Sequence, residues 1–388
     1  MNSTVDILER LETKLSKLQT IDSGKRVIVG FDGFVDEIRK AVEHRDASGP
    51  HYYKTLTDFS EKIRKASGRS GQIEVPLQRT KPGGNAPILA SALGMLGVPV
   101  TCLGSTDHSI FKPSSEHCEF VNLLAPGESE AIEFEDGKLI LSDLSVFEKY
   151  DWAYIKNRVG LNKLQTIIGK SQLVAMVDWA NLVHARDIWD GVINDVLVHS
   201  GRKDYLFFFD LCDPSRRQPH EIDAILDLIS RFSYYGRVTL GLNENEALAL
   251  WAALTEGDGK PEGSAYDAGM FLHHALNIDC VLIHLLDRCF VYHRNEHAEL
   301  RGRFVTHPKI QTGGGDNLNA GFILGLLADF SFDEAVTLGM AASGYYVQEG
   351  SSAKLPALMN YIKIWKQELL SAATATRPKP LLFSSNEI

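Results

Sequence analysis

"HPKIQTGGGDNLNAGFILGLL", residues 307–327, joins three consecutive glycines and a single acid to an apolar run. Glycine adopts positive φ without steric cost, and its bare backbone lets a charged group touch the N–H groups of Gly313 to Gly315. If a helix begins at Asn317, these N–H groups lie at its positive end and favour an anion. Asp316 is then expected near the N-cap position. There it either caps the helix alone or also takes a proton from a hydroxyl beside the anion.

Around this segment, short continuous apolar runs alternate with helical patterns, which is typical of strands covered on both faces. We predict strands at 26–29, 98–103, 173–177, 205–209, 238–242 and 280–285. We predict helices at 4–19, 86–96, 187–198, 221–232, 244–253 and 266–276. The sequence therefore predicts an α/β fold with a mainly parallel central sheet.

One region departs from this alternation and is predicted to form a small β lid. Residues 113–147 contain short alternating runs joined by the turn pairs Pro-Gly and Asp-Gly, and residues 36–56 are expected to add a further strand. Because no linker or internal repeat divides the chain, residues 1–388 are interpreted as one domain with these two lid insertions.

The bulk composition limits the function. The 388 residues are 44% hydrophobic and 23% charged, as in ordinary globular proteins. Acidic residues number 50 against 40 lysines and arginines, and no basic tract is present, which argues against nucleic-acid or anionic-membrane binding. The five cysteines lack CxxC spacing and are expected to be reduced. No apolar stretch approaches the ~20 residues of a membrane span, so we expect a cytoplasmic protein without a membrane anchor.

Three motifs carry a resemblance to a known family. The segment GGGDNLNAGF at 313–322 resembles the second signature of the ribokinase-like carbohydrate kinases, the PfkB family. The stretch that begins at Gly83 with Gly-Gly-Asn resembles the first signature, and Asn243 with Glu246 resembles the family's NxxE element. The resemblance spans roughly residues 26–350. It implies a three-layer α/β/α sandwich with a β lid, and it implies phosphoryl transfer to a sugar.

The resemblance also implies roles for individual residues. Asp316 is expected to be the catalytic base, and the anion hole is expected from the amides of Gly313, Gly314 and Gly315. The sugar-binding residues implied are Asp32, Asp36, Gly83, Gly84 and Asn85, with Asp36 favoured over Asp32 for its position where a strand enters the lid. Asn181, which follows another predicted strand beside Asp178, is expected to line the same pocket.

The nucleotide and metal sites are implied in the same way. Thr312, Asn319, Asn243 and Glu246 are expected to contact ATP, and Asn243 with Glu246 to hold Mg²⁺ through water. A capping arrangement at a helix start is the alternative for the NxxE element. The run that contains Asp210, Asp213, Arg216 and Arg217 ends another strand, and one of its arginines is a further candidate for a phosphate.

Several alternatives fit the same residues. The family's usual Asp six positions before the base is Ile310 here, and the second Asn of the first signature is absent, which puts monovalent-cation activation and standard sugar contacts in doubt. A nucleoside kinase, an ADP-dependent sugar kinase of the same fold and a sugar-binding regulatory protein without catalysis therefore stay open. Lids with an apolar face often pair, which favours a homodimer formed through the lid.

Overall fold

The structure, a computed structural model, describes residues 3–18, 25–255, 263–294, 296–310 and 312–375. Its strands are β1 (Val27–Phe31), β2 (Phe34–Arg39), β3 (Val42–Asp46), β4 (Gly49–Tyr52), β5 (Leu77–Gly83), β6 (Val100–Gly104), β7 (Cys118–Asn122), β8 (Gly127–Phe134), β9 (Gly137–Asp143), β10 (Leu173–Val177), β11 (Tyr205–Asp210), β12 (Gly236–Asn243), β13 (Cys280–His284), β14 (Arg288–His293) and β15 (Glu296–Arg301).

Its helices are α1 (Thr4–Lys17), α2 (Leu56–Lys65), α3 (Asn85–Met95), α4 (Trp152–Val159), α5 (Leu161–Gly169), α6 (Ala185–Gly191), α7 (Val198–Ser200), α8 (Pro219–Phe232), α9 (Glu244–Leu254), α10 (Ala265–Ala275), α11 (Gly314–Leu327), α12 (Phe332–Glu349) and α13 (Leu355–Ala375). A π-helical segment, Val192–Leu197, joins α6 to α7. Within the described ranges, no helix combines the length and apolar character needed to cross a membrane.

The central sheet has nine strands in the order β15-β14-β13-β12-β11-β10-β1-β6-β7. The seven strands from β13 to β7 pair in parallel, and β14 pairs antiparallel with both β13 and β15. Side chains alternate between the faces: in β11, Phe207 and Phe209 enter one core, and Leu206 and Phe208 enter the other. Because helices cover both faces, the predicted three-layer α/β/α sandwich is confirmed.

The lid is a second sheet, with the strand order β5-β2-β8-β9, and β3 and β4 form a separate hairpin beside it. Residues 113–147 are divided between the two sheets, which differs from the prediction. Strands β8 and β9 belong to the lid, whereas β7 pairs with β6 as the edge of the central sheet. Strand β5, which was not predicted, pairs with β2. A five-residue strand such as β7 has the same local sequence pattern in either sheet, so the sheet to which it belongs depends on the strand with which it pairs.

Candidate active site

The carboxyl ends of five neighbouring parallel strands converge at one edge of the central sheet. Asp210, Asn243 and His284 are the last residues of β11, β12 and β13, and Asp32 and Asp178 directly follow β1 and β10. Ligands bind at this edge in open α/β folds. The topology therefore brings together residues that are far apart in sequence.

The glycine turn meets this edge from above, at the start of α11. Gly313 is the N-cap with φ of 97°, and Asp316 is the third helical residue rather than the cap predicted from the sequence. The backbone N–H of Asn317 makes the first helical bond, to the Gly313 carbonyl, so the preceding amides have no acceptor within the helix. A Cβ at Gly313 would lie 2.8 Å from the Tyr346 hydroxyl, so this position requires glycine.

The Asp316 carboxyl is almost fully buried beside these amides. Burial raises its pKa well above the ordinary value, and the negative charges of Asp210 and Asp32 raise it further, against a lowering by Lys81. A carboxylate whose pKa is raised is a stronger proton acceptor than an ordinary one. Asp316 thus lies where an anion and a proton donor can meet.

Asp32 has a different environment from the one predicted for a sugar ligand. Its carboxylate accepts hydrogen bonds from the amides of Asn85, at 2.7 Å, and Ala86, at 2.8 Å, and therefore caps α3. It is fully buried, and burial raises its pKa to about 6. Gly84 has φ of 91°, and a Cβ there would lie 2.6 Å from Asp32 Oδ2. Asp32 therefore anchors the Gly-Gly-Asn turn from below.

Asp36 lies on lid strand β2, on the open side of the same turn. The Ser129 hydroxyl donates to its carboxylate at 2.6 Å, and Lys81 Nζ lies 3.8 Å from it. A Cβ at Gly83, the last residue of the neighbouring strand β5, would lie 2.2 Å from Asp36 Oδ1, so only glycine leaves room for this carboxylate. The pKa of Tyr346 rises to about 12, mainly through burial, with Asp316 and Asp36 both contributing. The two acids thus act on one tyrosine.

Asn181 belongs to a polar network at the edge of the cluster. Its amide donates to Asp178 at 2.6 Å and accepts from Arg216. Burial and the charge of Asp32 raise the pKa of Asp178 well above normal. Arg217, by contrast, donates to the carbonyls of residues 179, 180 and 182 and holds that loop. Of the two arginines, only Arg216 extends towards the cluster.

The NxxE element forms the capping box that was the alternative interpretation. Asn243 and Glu246 exchange hydrogen bonds at the start of α9, at 2.8 and 2.9 Å. Glu246 also lies within electrostatic range of the cluster: burial raises its pKa well above normal, and the charges of Asp210, Asp213 and Asp316 raise it further. Capping and a role at the site are therefore compatible.

Asn319 and Thr312 also lie at the cluster. Asn319 donates to Asp210 at 2.9 Å, and its Oδ1 atom is buried with no hydrogen-bond partner among the described residues. The Thr312 carbonyl accepts from Tyr346 at 2.9 Å, and its hydroxyl accepts from Lys138 at 2.6 Å. The free oxygen of Asn319, with the acids around it, suits a hard divalent cation such as Mg²⁺.

Two groups of residues were missed by the sequence reasoning. Lys138 on β9 and Lys81 on β5 bring ammonium groups from the lid, and Lys138 contacts Thr312 across 174 positions of sequence. Lys138 is an exposed residue overall, but its ammonium group is partly shielded from water. This shielding lowers the pKa of Lys138, and the positive charge of Lys81 lowers it further. His284 lies beside Gly315, and burial lowers its pKa to about 4, so its ring is neutral at pH 7. The sequence signal closest to these residues is the Asp-Gly pair before Lys138, which predicts a turn at that position.

Two cavities of the described chain lie away from this cluster. One of about 840 Å³ is lined by residues that include His273 and Asp279, and one of about 750 Å³ by residues that include Leu15 and Met359. The lid lies against the glycine turn through Lys138. We therefore expect a substrate to reach Asp316 only after the lid moves.

Comparison with known proteins adds an independent line of evidence. A sequence model of the prokaryotic ketohexokinase family matches residues 3–364. A ketohexokinase from Haloferax volcanii is 27% identical over 345 residues, which cover 86% of this chain and 89% of that protein.

Two solved structures resemble the fold. A ribokinase from Arabidopsis thaliana, complexed with ribose and ATP, has a TM-score of 0.57 at 16% identity and covers 87% of this chain and 98% of its own. An adenosine kinase from Sinorhizobium meliloti has a TM-score of 0.61 at 16% identity, with 88% and 99% covered. These likenesses confirm the predicted ribokinase-like fold.

Proposed function

Because the chain belongs to the prokaryotic ketohexokinase family and is a carbohydrate kinase, we propose that it transfers the γ-phosphoryl group of ATP to a hydroxyl of a ketohexose. The observation that carries this proposal is the position of Asp316, buried in the first turn of α11 beside helix amides without intrahelical acceptors. A proton acceptor and an anion site occur there within one turn of backbone.

In the proposed reaction, the sugar hydroxyl oxygen forms a bond to the γ-phosphorus while its proton passes to Asp316. The bond from that phosphorus to the β–γ bridging oxygen breaks, and ADP leaves with the electron pair. The amides of Gly314 and Gly315 stabilise charge on the phosphoryl oxygens, which is the main contribution a protein makes to phosphoryl transfer. The place of the Asp316 carboxyl in the first turn of α11, beside these amides, supports its role as the base.

Mg²⁺ fits the oxygen-rich surface formed by Glu246, Asp210 and the unpartnered Oδ1 of Asn319. When bound, it neutralises charge on the β- and γ-phosphates. Asn243 orients Glu246 through the reciprocal bonds of the capping box. Lys138 and Lys81 add positive charge from the lid side, and Lys138 touches Thr312 at the entrance to the glycine turn.

The sugar is proposed to lie between the lid and the Gly-Gly-Asn turn. Asp36 offers a carboxylate there, with one oxygen held by Ser129 and the other available for sugar hydroxyls. Gly83 and Gly84 admit the close approach of the Asp36 and Asp32 carboxylates to this turn, and the Asn85 side chain and Asn181 add amide groups. Asp32 acts indirectly, because it holds the amides of this turn in place.

We also propose that the lid pairs with the lid of a second copy of the chain. Leu77 on β5 and Ile140 and Leu141 on β9 are about half exposed, at 48%, 47% and 51%, and they lie on the two edge strands of the lid sheet. Exposed apolar side chains on edge strands favour association. Light scattering coupled to size exclusion will give a dimer mass if the lid pairs, and Leu141→Lys will shift it towards the monomer.

An acceptor panel tests the proposed reaction. The purified protein is assayed with fructose, ribose and adenosine, each with ATP or ADP and with or without Mg²⁺, and the product is identified by ³¹P NMR. We expect turnover with fructose, ATP and Mg²⁺ together. If adenosine is the only acceptor that is phosphorylated, the proposed acceptor is wrong. If only ADP serves as the phosphoryl donor, the proposed donor is wrong. No turnover with any pair would favour a binding protein.

A further inference from the structure

A cluster outside the proposed reaction site lies on the β3–β4 hairpin. His44 and Asp46 occupy alternate positions of β3 and so share one face, and His51 of β4 is the cross-strand partner of His44. The imidazole nitrogens and a carboxylate oxygen of these three residues all lie within 4.8 Å of one another. The kinase reaction described above uses none of them.

The geometry of the cluster is partly set for a metal. His51 Nε2 lies 2.8 Å from Asp46 Oδ2, and the rings of His44 and His51 stack with centroids 4.5 Å apart. The backbone amide and hydroxyl of Ser48 donate to the other oxygen of Asp46, at 2.8 and 2.6 Å, and fix the carboxylate. Such bonds orient ligating carboxylates in metal sites.

The charges around the cluster are compatible with a cation. Arg45 lies between His44 and Asp46 on the opposite face of the strand, where its guanidinium pairs with Glu74. The Glu43 carboxylate lies 3.9 Å from His44 Nδ1 and adds negative charge. No lysine or arginine is paired with Asp46 among the described residues.

We propose that His44, Asp46 and His51 form a binding site for a borderline divalent cation such as Zn²⁺. Two imidazoles and one carboxylate suit Zn²⁺, Cu²⁺ or Ni²⁺, whereas Mg²⁺ and Ca²⁺ prefer all-oxygen sites. Tetrahedral Zn²⁺ with ligands at 2.0–2.1 Å needs donor atoms about 3.3 Å apart. Because the His44 side chain is 57% exposed, we expect its ring to turn to this spacing when the ion binds, and the ion would then join the two strands of the hairpin.

Zinc titration of the full chain, without a histidine tag and after removal of metals with EDTA, tests this site. We expect calorimetry to show one tight equivalent of Zn²⁺, with affinity at least tenfold weaker in His44→Gln and in His51→Gln. His117→Gln is the matched control, because His117 is also an exposed histidine near a carboxylate, with Glu116 at 3.8 Å. Its affinity is expected to match the parent.

Hydrogen exchange of the β3–β4 amides gives a second readout that does not depend on catalysis. Zn²⁺ is expected to slow exchange in the parent and in His117→Gln, but not in His44→Gln. Zinc uptake that persists unchanged in both triad variants would assign the ion to the acids of the reaction site. That result, or a parent that binds no Zn²⁺, would overturn the proposal.

Discussion

Replacement of Lys138 by methionine tests the contribution of the lid to phosphoryl transfer. The Lys138 ammonium lies 2.6 Å from the Thr312 hydroxyl, next to the glycine turn where the transferred group is proposed to sit. A unit charge about 4 Å away acts with about 4 kcal/mol at an effective dielectric of 20. The cost of removing water from the ammonium offsets part of this, which leaves roughly 2–3 kcal/mol and predicts a fall in kcat of roughly 30- to 150-fold.

The assay measures kcat and KM for both substrates in a coupled ADP-release reaction. Lys138→Arg retains the cation and is expected to recover most of the rate. Lys40→Met is the matched control, because Lys40 lies between β2 and β3 with its ammonium over the Tyr52 ring and not at the glycine turn. We expect Lys40→Met to stay within about threefold of the parent.

Stability separates the two possible causes of a slow variant. Because its surroundings lower the pKa of Lys138, the folded protein disfavours this charge, and methionine is not expected to lower the melting temperature. A kcat for Lys138→Met within threefold of the parent, in a folded protein, would refute the role of this ammonium.

Three further substitutions test other parts of the account. Asp36→Asn is expected to raise KM for the sugar by roughly 10- to 100-fold with little change in KM for ATP, because a charged hydrogen-bond acceptor contributes about 1.5–3 kcal/mol. Glu128→Gln, at an exposed residue of β8, is the control. Equal effects on both KM values would contradict a role for Asp36 in sugar binding. Asp178→Asn removes a buried acid whose pKa is raised, so its stabilising contribution is present at low pH and is lost as pH rises through that pKa. In urea the variant should gain stability over the parent at pH 8 and less at pH 5, and the reverse order would be inconsistent with the burial described. Glu334 is buried, and although burial raises its pKa, Lys14, Ser331 and Arg10 lower it to about 2. The stability that Glu334 contributes is present above pH of about 4.5 and is lost as pH falls towards 2. Glu334→Gln should therefore lower the free energy of unfolding, measured in urea at pH 7, by about 1–2 kcal/mol. This is less than the usual loss for a buried ion pair, because Arg10 and Lys14 are both partly exposed. An unchanged midpoint at pH 7 would argue against these ion pairs.

Local patterns were sufficient for the six parallel strands β1, β6, β10, β11, β12 and β13 of the central sheet, but not for its strands β7, β14 and β15. Strand β10 begins and ends where the apolar run at 173–177 predicted, and α3, α8, α9 and α10 each lie within two residues of their predicted bounds. Continuous apolar runs and helical periodicity depend on neighbouring residues, so sequence alone reveals them. The family signature was equally local, since one turn of backbone carries both the glycines and the acid.

Contacts between residues far apart in the sequence could not be predicted from local patterns. The contact of Lys138 with Thr312 and the place of β7 depend on strands that meet only after folding. The choice between Asp32 and Asp36 had the same character: both are turn acids in sequence, but only the fold places Asp32 beneath the α3 amides. For Asp316 the predicted N-cap position was wrong by three residues, because Gly313 is the N-cap and the helix begins at Gly314.

The most direct measurement of the central claim is the turnover of Asp316→Asn with a ketohexose, ATP and Mg²⁺. We expect a fall in kcat of about 10²- to 10⁴-fold, the usual contribution of a general base. Calorimetry should show retained sugar binding, and the melting temperature should not fall, since the substitution removes a buried acid. A folded variant that turns over like the parent would show that another group accepts the proton.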